Sequence, residues 1–111
     1  MSTSAEFVQY VLDQFSELPS VRTRKMFGEY GFFYGGIYFA AACDNQFFVK
    51  ITEGGKRLLP DCETAPPYPG AKPMFLIPRL EDRELLTELA RVTCRELPPP
   101  RSKKGRSTTN F

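Results

Sequence analysis

The sequence contains no histidine, so it lacks the residue that most often serves as a general base or a metal ligand at neutral pH. Its three cysteines, Cys43, Cys62 and Cys94, form no C-x-x-C pair, which fits neither a zinc site nor a disulfide scaffold. Only Cys62, in a loop, is a candidate for a reactive thiol. Carboxylates such as Glu29 and Asp44 have no partner in the pattern. We therefore expect no catalytic residues, no metal and no cofactor, as in a protein that is not an enzyme.

Other absences limit the class of protein further. No run approaches the roughly 18 apolar residues that a membrane span requires, and no basic, apolar leader opens the chain, so we expect a cytoplasmic protein that binds no membrane. The run Gly54-Gly55-Lys56 lacks the spacing of a phosphate-binding loop. Tryptophan is absent, but ten Phe and five Tyr in 111 residues supply enough bulk for one packed domain.

The net charge of +2 is unevenly distributed along the chain. Residues 98–111 hold four basic residues and no acidic one, which leaves 11 basic and 13 acidic residues in the rest of the chain. We therefore divide the sequence into one domain, residues 1–97, and a flexible basic tail, residues 98–111. Such a tail could contact nucleic acid through phosphates, weakly and with a strong dependence on salt.

Hydrophobic spacing and turn residues predict the order of the elements. The predicted elements are a helix over residues 4–17, a half-exposed or edge strand over 20–27, strands on either side of turns at Gly35-Gly36 and Asp44-Asn45, a short helix over 52–59, a strand over 72–77 and a helix over 80–97. Pro73 and Pro78 place the last strand at an edge, or leave its ends unpaired. We therefore expect an α+β fold: an antiparallel β-sheet meander of four to five strands with N- and C-terminal amphipathic helices packed on one face.

A glycine-punctuated aromatic hairpin occupies the centre of the sequence. Together with this hairpin, the chain has five characteristic features: Arg24-Lys25-Met26-Phe27-Gly28, Gly31, the run from Gly35 to Ala40, Phe48-Val49-Lys50, and the run from Ala65 to Pro73. In these features the chain resembles the N-terminal domain of the TfoX/Sxy family of competence regulators, over most of residues 5–97. The resemblance implies an α+β domain and an association with the regulation of competence genes and transcription. Full-length members continue with a second domain and are thought to act with a cyclic-AMP-dependent transcription activator.

Five residues of this motif are interpreted as structural: Met26, Phe27, Gly28, Gly31 and Gly35. Glycine permits a bulge or a close approach of backbone, and Met and Phe can fill a core. Alternation assigns about half of the rings in the hairpin strands to the core beneath the helices. The remaining rings could present an apolar surface to another subunit, so we also predict a homodimer.

Basic residues beside the hairpin form the predicted binding site. The site consists of Arg22, Arg24 and Lys25, together with Tyr68 and Lys72 of a proline-rich loop, residues 66–73. It could bind an anion, nucleic acid or an acidic partner. Alternatively, the charges keep an exposed strand edge soluble, and the prolines make a rigid crossover.

These observations favour a non-enzymatic regulatory or protein-interaction domain whose partner is a protein, such as a transcription factor. Two alternatives remain open. One is direct binding of nucleic acid through the basic patch and the tail. The other is a small-ligand site under the proline-rich loop.

Overall fold

The computed structural model describes residues 3–26 and 29–98. Within these residues the elements are α1 (Ala5–Asp13), β1 (Val21–Met26), β2 (Glu29–Tyr34), β3 (Ile37–Cys43), β4 (Gln46–Val49), α2 (Glu53–Leu58), β5 (Thr64–Ala65), β6 (Met74–Leu76) and α3 (Arg83–Glu96). The strands form one antiparallel sheet in the order β1-β2-β3-β4-β6-β5. The predicted α+β fold is confirmed, and the two-residue β5 brings the sheet to six strands in this part of the chain.

Two tight turns fix the register of β2, β3 and β4. Gly35 and Gly36 have φ angles of +59° and +82°, and Asp44 and Asn45 have φ angles of +54° and +57°. Paired positive φ angles are those of a type I′ turn, whose twist matches the twist of the strands that it joins. Both hairpins predicted from these turn residues are confirmed.

The sheet has two different faces, because side chains alternate along each strand. The helix-side face carries the buried rings Phe32, Phe39, Phe47 and Phe75, which pack with residues of α1 and α3 in the main core. The loop-side face carries Arg22, Phe33, Tyr38 and Lys50, which lie in one row across β1, β2, β3 and the end of β4. Residues 66–73, called the proline loop below, lie against Tyr38 and Lys50 on that second face.

Phe15 lies at the centre of the helix-side core. Its ring centroid is 5.9 Å from that of Phe39, 6.0 Å from that of Phe47 and 6.4 Å from that of Phe32. The contacts with Phe39 and Phe47 are edge-to-face, as is the contact between Phe32 and Phe47, and this is an arrangement that aromatic quadrupoles favour. One ring from the chain before β1 therefore joins rings from three neighbouring strands.

Helix α1 is shorter than its sequence pattern predicts. The Ser4 hydroxyl caps it by accepting a hydrogen bond of 3.1 Å from the amide of Phe7. The predicted end at residue 17 is wrong, because α1 ends at Asp13. The next two amides, of Gln14 and Phe15, bond carbonyls three residues back, and this tight turn carries Phe15 into the core.

Helix α2 forms although it contains two consecutive glycines. Thr52 caps it by accepting a hydrogen bond of 3.0 Å from the amide of Gly55. A β-carbon on Gly54 would overlap the side chains of Val92 and Glu96 in α3, so glycine is what allows the two helices to approach this closely. The amide of Gly54 also donates to both carboxylate oxygens of Glu96, each at 3.1 Å. These tertiary contacts offset the low helix propensity of glycine.

Strand β6 lies between β4 and β5, and not at the edge of the sheet. Each end of β6 is joined to a neighbouring strand: Met74, next to Pro73, pairs with Ala65 of β5, and the amide of Ile77, next to Pro78, donates to the carbonyl of Phe47 at 3.0 Å. Neither prediction made from the two prolines, an edge strand or unpaired ends, is therefore confirmed. Strand β1 is the terminal strand on the opposite edge, as predicted. Among the helices of the described residues, none is long and apolar enough to span a membrane.

Candidate functional site

The loop-side face brings together four of the five residues predicted to bind a partner or an anion. Arg22 and Arg24 pair with Phe33 and Gly31, which places both arginines on this face, and both are exposed. Tyr68 and Lys72 of the proline loop lie on the same side of the sheet.

Lys25 is the exception among the predicted binding residues. It pairs with Tyr30, whose ring packs against the main core, so Lys25 belongs to the helix-side face although it is also exposed. The predicted patch is therefore divided between two faces, because consecutive residues of a strand point in opposite directions.

Gly31 marks the middle of the loop-side face. A β-carbon on it would lie 2.7 Å from Cε of Met26, 3.0 Å from Cε1 of Tyr38 and 3.2 Å from Cε1 of Phe33. The absence of a side chain at this position therefore lets three neighbouring side chains close over the strand. Among the other motif residues, Phe27 and Gly28 lie outside the described part of the chain.

Gly35 has a different role from Gly31. A β-carbon there would meet no atom within 4 Å, but residues other than glycine rarely adopt a φ angle of +59°. Its role is therefore in the backbone of the hairpin turn, and not in packing.

A carboxylate is buried on the loop-side face. Glu29 is only 8% exposed, and its Oε1 atom has no hydrogen-bond partner among the described residues. Burial raises the pKa of this carboxyl above its ordinary value. From the sequence, Glu29 could be identified only as an unpaired carboxylate, because nothing in the local pattern indicates that it is buried.

Tyr38 lies near this carboxylate. Burial, followed by the charge of Glu29 and then by Tyr68 and Cys43, raises the pKa of the Tyr38 phenol to about 12. The phenol therefore keeps its proton at neutral pH and can donate a hydrogen bond, but it cannot act as a base there.

Lys50 is a member of this site that the sequence reading did not assign to it. Its Nζ lies 4.6 Å from the centroid of the Tyr38 ring, in cation–π geometry. Burial and then the positive charge of Lys72 lower the pKa of Lys50. The alternation of Gln46 to Lys50 after the Asp44-Asn45 turn is the signal that could have placed Lys50 beside Tyr38.

A pocket of about 410 Å³ opens between the sheet and the proline loop. Its polar groups come from the two lysines and the two tyrosines already named, and Ile51, Pro67, Met74 and Leu97 contribute apolar walls. Converging polar groups on apolar walls in a cavity of this size are typical of ligand sites.

The cysteines contribute no activated thiol. Burial raises the pKa of Cys43, Cys62 and Cys94, in the last case to about 11. The Sγ atom of Cys62 donates to the carbonyl oxygen of Leu76 at 3.3 Å, so the one thiol considered a candidate is engaged with backbone. Across residues 3–26 and 29–98, no group of three or more acidic or cysteine side chains could hold a metal ion.

Comparisons with known proteins identify the family of this chain. Residues 13–97 match the TfoX N-terminal domain. A protein of Spirochaeta aurantia, described as an uncharacterised 12.7 kDa protein in the trpE 5′ region, is 33% identical over 110 residues, which span 98% of this chain and 96% of that protein. The chain therefore belongs to the TfoX N-terminal domain family.

Proposed function

We propose that this chain is a non-enzymatic regulatory domain of the cytoplasm that binds an acidic segment of a protein partner on its loop-side face. The observation that carries the proposal is the placement of Arg22, Arg24 and Tyr68. All three are exposed and stand on one side of the sheet, and Tyr68 retains 46% of its surface accessible. Arginine and tyrosine are enriched among residues that dominate binding at protein interfaces.

The charges support an acidic partner. Within the described residues, the ion pairs are Lys56 with Glu53 and Arg57 with Glu96, so neither Arg22 nor Arg24 has an intramolecular carboxylate partner there. A partner carboxylate could therefore pair with either guanidinium without displacing an existing ion pair in this region.

The position of β1 supports an extended partner segment. This strand is the end of the sheet, so one of its edges has no neighbouring strand in the described part of the chain. An extended peptide can add to such an edge by main-chain hydrogen bonds while its side chains meet those of the face. The association of the family with competence genes supports a transcription factor as the partner, and self-association into a homodimer would use the same edge.

The chemistry of the site supports the proposal that the domain is non-enzymatic. The three thiols and the Tyr38 phenol all have raised pKa values, so each holds its proton at neutral pH. None of them is thereby activated as a nucleophile or base.

The experiment that tests this proposal is affinity capture from the native cytosol with the wild-type chain and two charge-reversal variants. Arg22→Glu/Arg24→Glu removes the two exposed cations that β1 contributes to the loop-side face. Lys25→Glu is the matched control, since Lys25 lies on the same strand, is also exposed and belongs to the other face. We expect one partner, identified by mass spectrometry, to be recovered with the wild type and Lys25→Glu and lost with the double variant. Equal recovery with all three chains, or no reproducible partner, would contradict the proposal.

Direct binding of nucleic acid is the second candidate, because Arg22, Arg24, Lys50 and Lys72 share one face. Titration with DNA and RNA at low salt, repeated after deletion of residues 98–111, separates this face from the basic tail. Binding that survives the deletion and is lost in Arg22→Glu/Arg24→Glu would favour this candidate over a protein partner. Binding that disappears with residues 98–111 would assign the effect to the tail.

A further inference from the structure

We propose that the pocket beneath the proline loop binds a small organic anion, with Lys50 and Lys72 holding its charged group and the apolar walls holding its body. The proposal goes beyond the protein partner: the two sites share Tyr68, but the arginines of β1 do not line the pocket. The ligand class is an amphipathic carboxylate or monophosphate built on a single ring or a branched chain.

Like charges converge in this pocket. Lys50 and Lys72 both line it, and burial, followed by the positive charge of Lys72, lowers the pKa of Lys50. Neither lysine belongs to an ion pair with a described residue. Two cations that line one pocket without a carboxylate paired to either repel each other, and an anion bound between them would be attracted to both.

Lys50, one of the two cations, is already held in place by an aromatic ring. Its Nζ sits 4.6 Å above the centroid of the Tyr38 ring, and that ring packs against Phe33 with a centroid distance of 5.4 Å. Lys50 itself is half-buried. A side chain held in this way loses less conformational entropy when it binds a ligand than a fully exposed lysine would lose.

The walls of the pocket are largely apolar. Met74 and Pro67 are buried, and Ile51 and Leu97 are half-buried, so the pocket offers apolar surface that inorganic ions do not need. Tyr68 adds an aromatic ring and a hydroxyl at the open side, where it is 46% exposed. The volume of about 410 Å³ lies in the range typical of small-molecule sites.

Prolines hold one side of the pocket. Pro67, Pro69 and Pro73 each fix a backbone φ angle, and the amide of Ala71 donates to the carbonyl of Tyr68 at 3.1 Å to close the turn. The loop is therefore set in position before a ligand arrives, which favours binding by a preformed pocket over closure of the loop around its ligand.

The test is a titration of the isotope-labelled full chain followed by NMR, with benzoate, phenyl phosphate, inorganic phosphate and the neutral benzyl alcohol as probes. We expect saturable shifts of the Tyr38, Lys50 and Tyr68 signals with benzoate or phenyl phosphate. Benzyl alcohol lacks the charge and inorganic phosphate lacks the ring, so each should bind at least about tenfold more weakly. Inorganic phosphate binding as tightly as phenyl phosphate would overturn the assignment of an amphipathic ligand.

Variants of the lysines complete the test. Lys50→Gln/Lys72→Gln should weaken benzoate binding by about tenfold or more, since a hydrogen bond to a charged group is lost at each position. Lys72→Gln alone should weaken benzoate binding by less than the double variant does. Because Lys72 is an exposed loop residue, this variant leaves the packing of the chain unaltered. Lys25→Gln is the matched control and should bind as the wild type does.

Three outcomes would overturn the proposal. They are equal binding by the wild type and the double lysine variant, shifts centred outside the pocket, and a pocket that responds only when the captured protein partner is added. Arg22→Glu/Arg24→Glu should retain benzoate binding, so failure of the partner surface and failure of the pocket are separately visible.

Discussion

The two faces of the sheet differ in the polarity of the side chains that they bury. The helix-side face is apolar throughout its centre, where Phe32, Phe39 and Phe47 are at most 1% exposed. The loop-side face instead holds a buried carboxylate, Glu29, without a described hydrogen-bond partner and a half-buried lysine beside a second lysine. Burying polar groups in this way lowers stability. The helix side shares this feature, since the hydroxyls of Thr87 and Thr93 in α3 are also buried without a described hydrogen-bond partner. What distinguishes the loop-side face is therefore the charge of its buried and half-buried groups, Glu29 and Lys50, and this charge is why we propose that binding takes place there.

The largest expected effect separates two neighbouring phenylalanines that point to opposite faces. Phe32→Ala removes a fully buried ring that contacts Phe15 and Phe47, so we expect the free energy of unfolding to fall by about 3–5 kcal/mol. Phe33→Ala, on the loop-side face, removes a half-buried ring that pairs with Tyr38 and should cause a clearly smaller loss. Urea denaturation of both variants measures the difference, and equal losses would remove the distinction between the faces.

The next effect tests the close contact of α2 and α3 over the helix-side face. A methyl group in Gly54→Ala would overlap Val92 and Glu96, so we expect a loss of about 1–3 kcal/mol in spite of the higher helix propensity of alanine. Lys56→Ala in the same helix is the control, since Lys56 is exposed and its ion pair with Glu53 is solvated. Thermal and urea denaturation provide the measurement. A more stable Gly54→Ala variant would show that the helices do not approach so closely.

A smaller effect, with a defined dependence on pH, tests the buried carboxylate of the loop-side face. Because burial raises the pKa of Glu29 above its ordinary 4.5, the folded state holds this proton more tightly than the unfolded chain does. The contribution of this group to stability is therefore fully present below pH 4.5 and is lost as the pH rises through the higher folded-state pKa.

Glu29→Gln keeps the shape of the side chain and removes its charge. We expect this variant to have a larger free energy of unfolding than the wild type at about pH 7, with the difference vanishing below pH 4.5. Urea denaturation at several pH values measures it, and the exposed Glu88→Gln serves as control. A wild type that is the more stable chain at neutral pH would show that the carboxylate has a stabilising partner.

The smallest effect concerns the exposed arginines. Arg22→Ala and Arg24→Ala should change the free energy of unfolding by less than about 0.5 kcal/mol, because both side chains project from the terminal strand into solvent. Thermal denaturation checks this expectation, which is also the control for the capture experiment. A loss as large as that of Phe33→Ala would make the arginines part of the fold, and not of a binding surface.

Features of the fold that depend on residues close in sequence could be predicted, whereas features that depend on residues distant in sequence could not. Both hairpin turns were correct, since Gly35-Gly36 and Asp44-Asn45 specify their own backbone angles. The end of α1 was wrong, because the position of Phe15 is decided by three strands that come later in the chain.

The candidate site follows the same rule. Arg22 and Arg24 could be placed on one face by strand alternation, whereas the same alternation separates Lys25 from them. Lys50 was missed as a site residue, because its neighbours Tyr38 and Lys72 reach it only through the hairpin and the proline loop. The predicted homodimer rested on surplus rings, but the large hydrophobic residues exposed in residues 3–26 and 29–98 are Tyr10 and Tyr68. That prediction therefore stays open for a direct measurement of molecular mass.

The most direct test of the central claim is amide hydrogen exchange of this chain, free and bound to its captured partner. If the loop-side face binds, exchange should slow in β1 and in residues 66–73 and stay unchanged in α1 and α3, which cover the other face. Protection confined to α1 and α3, with β1 and the proline loop unaffected, would contradict the account and assign binding to the helices.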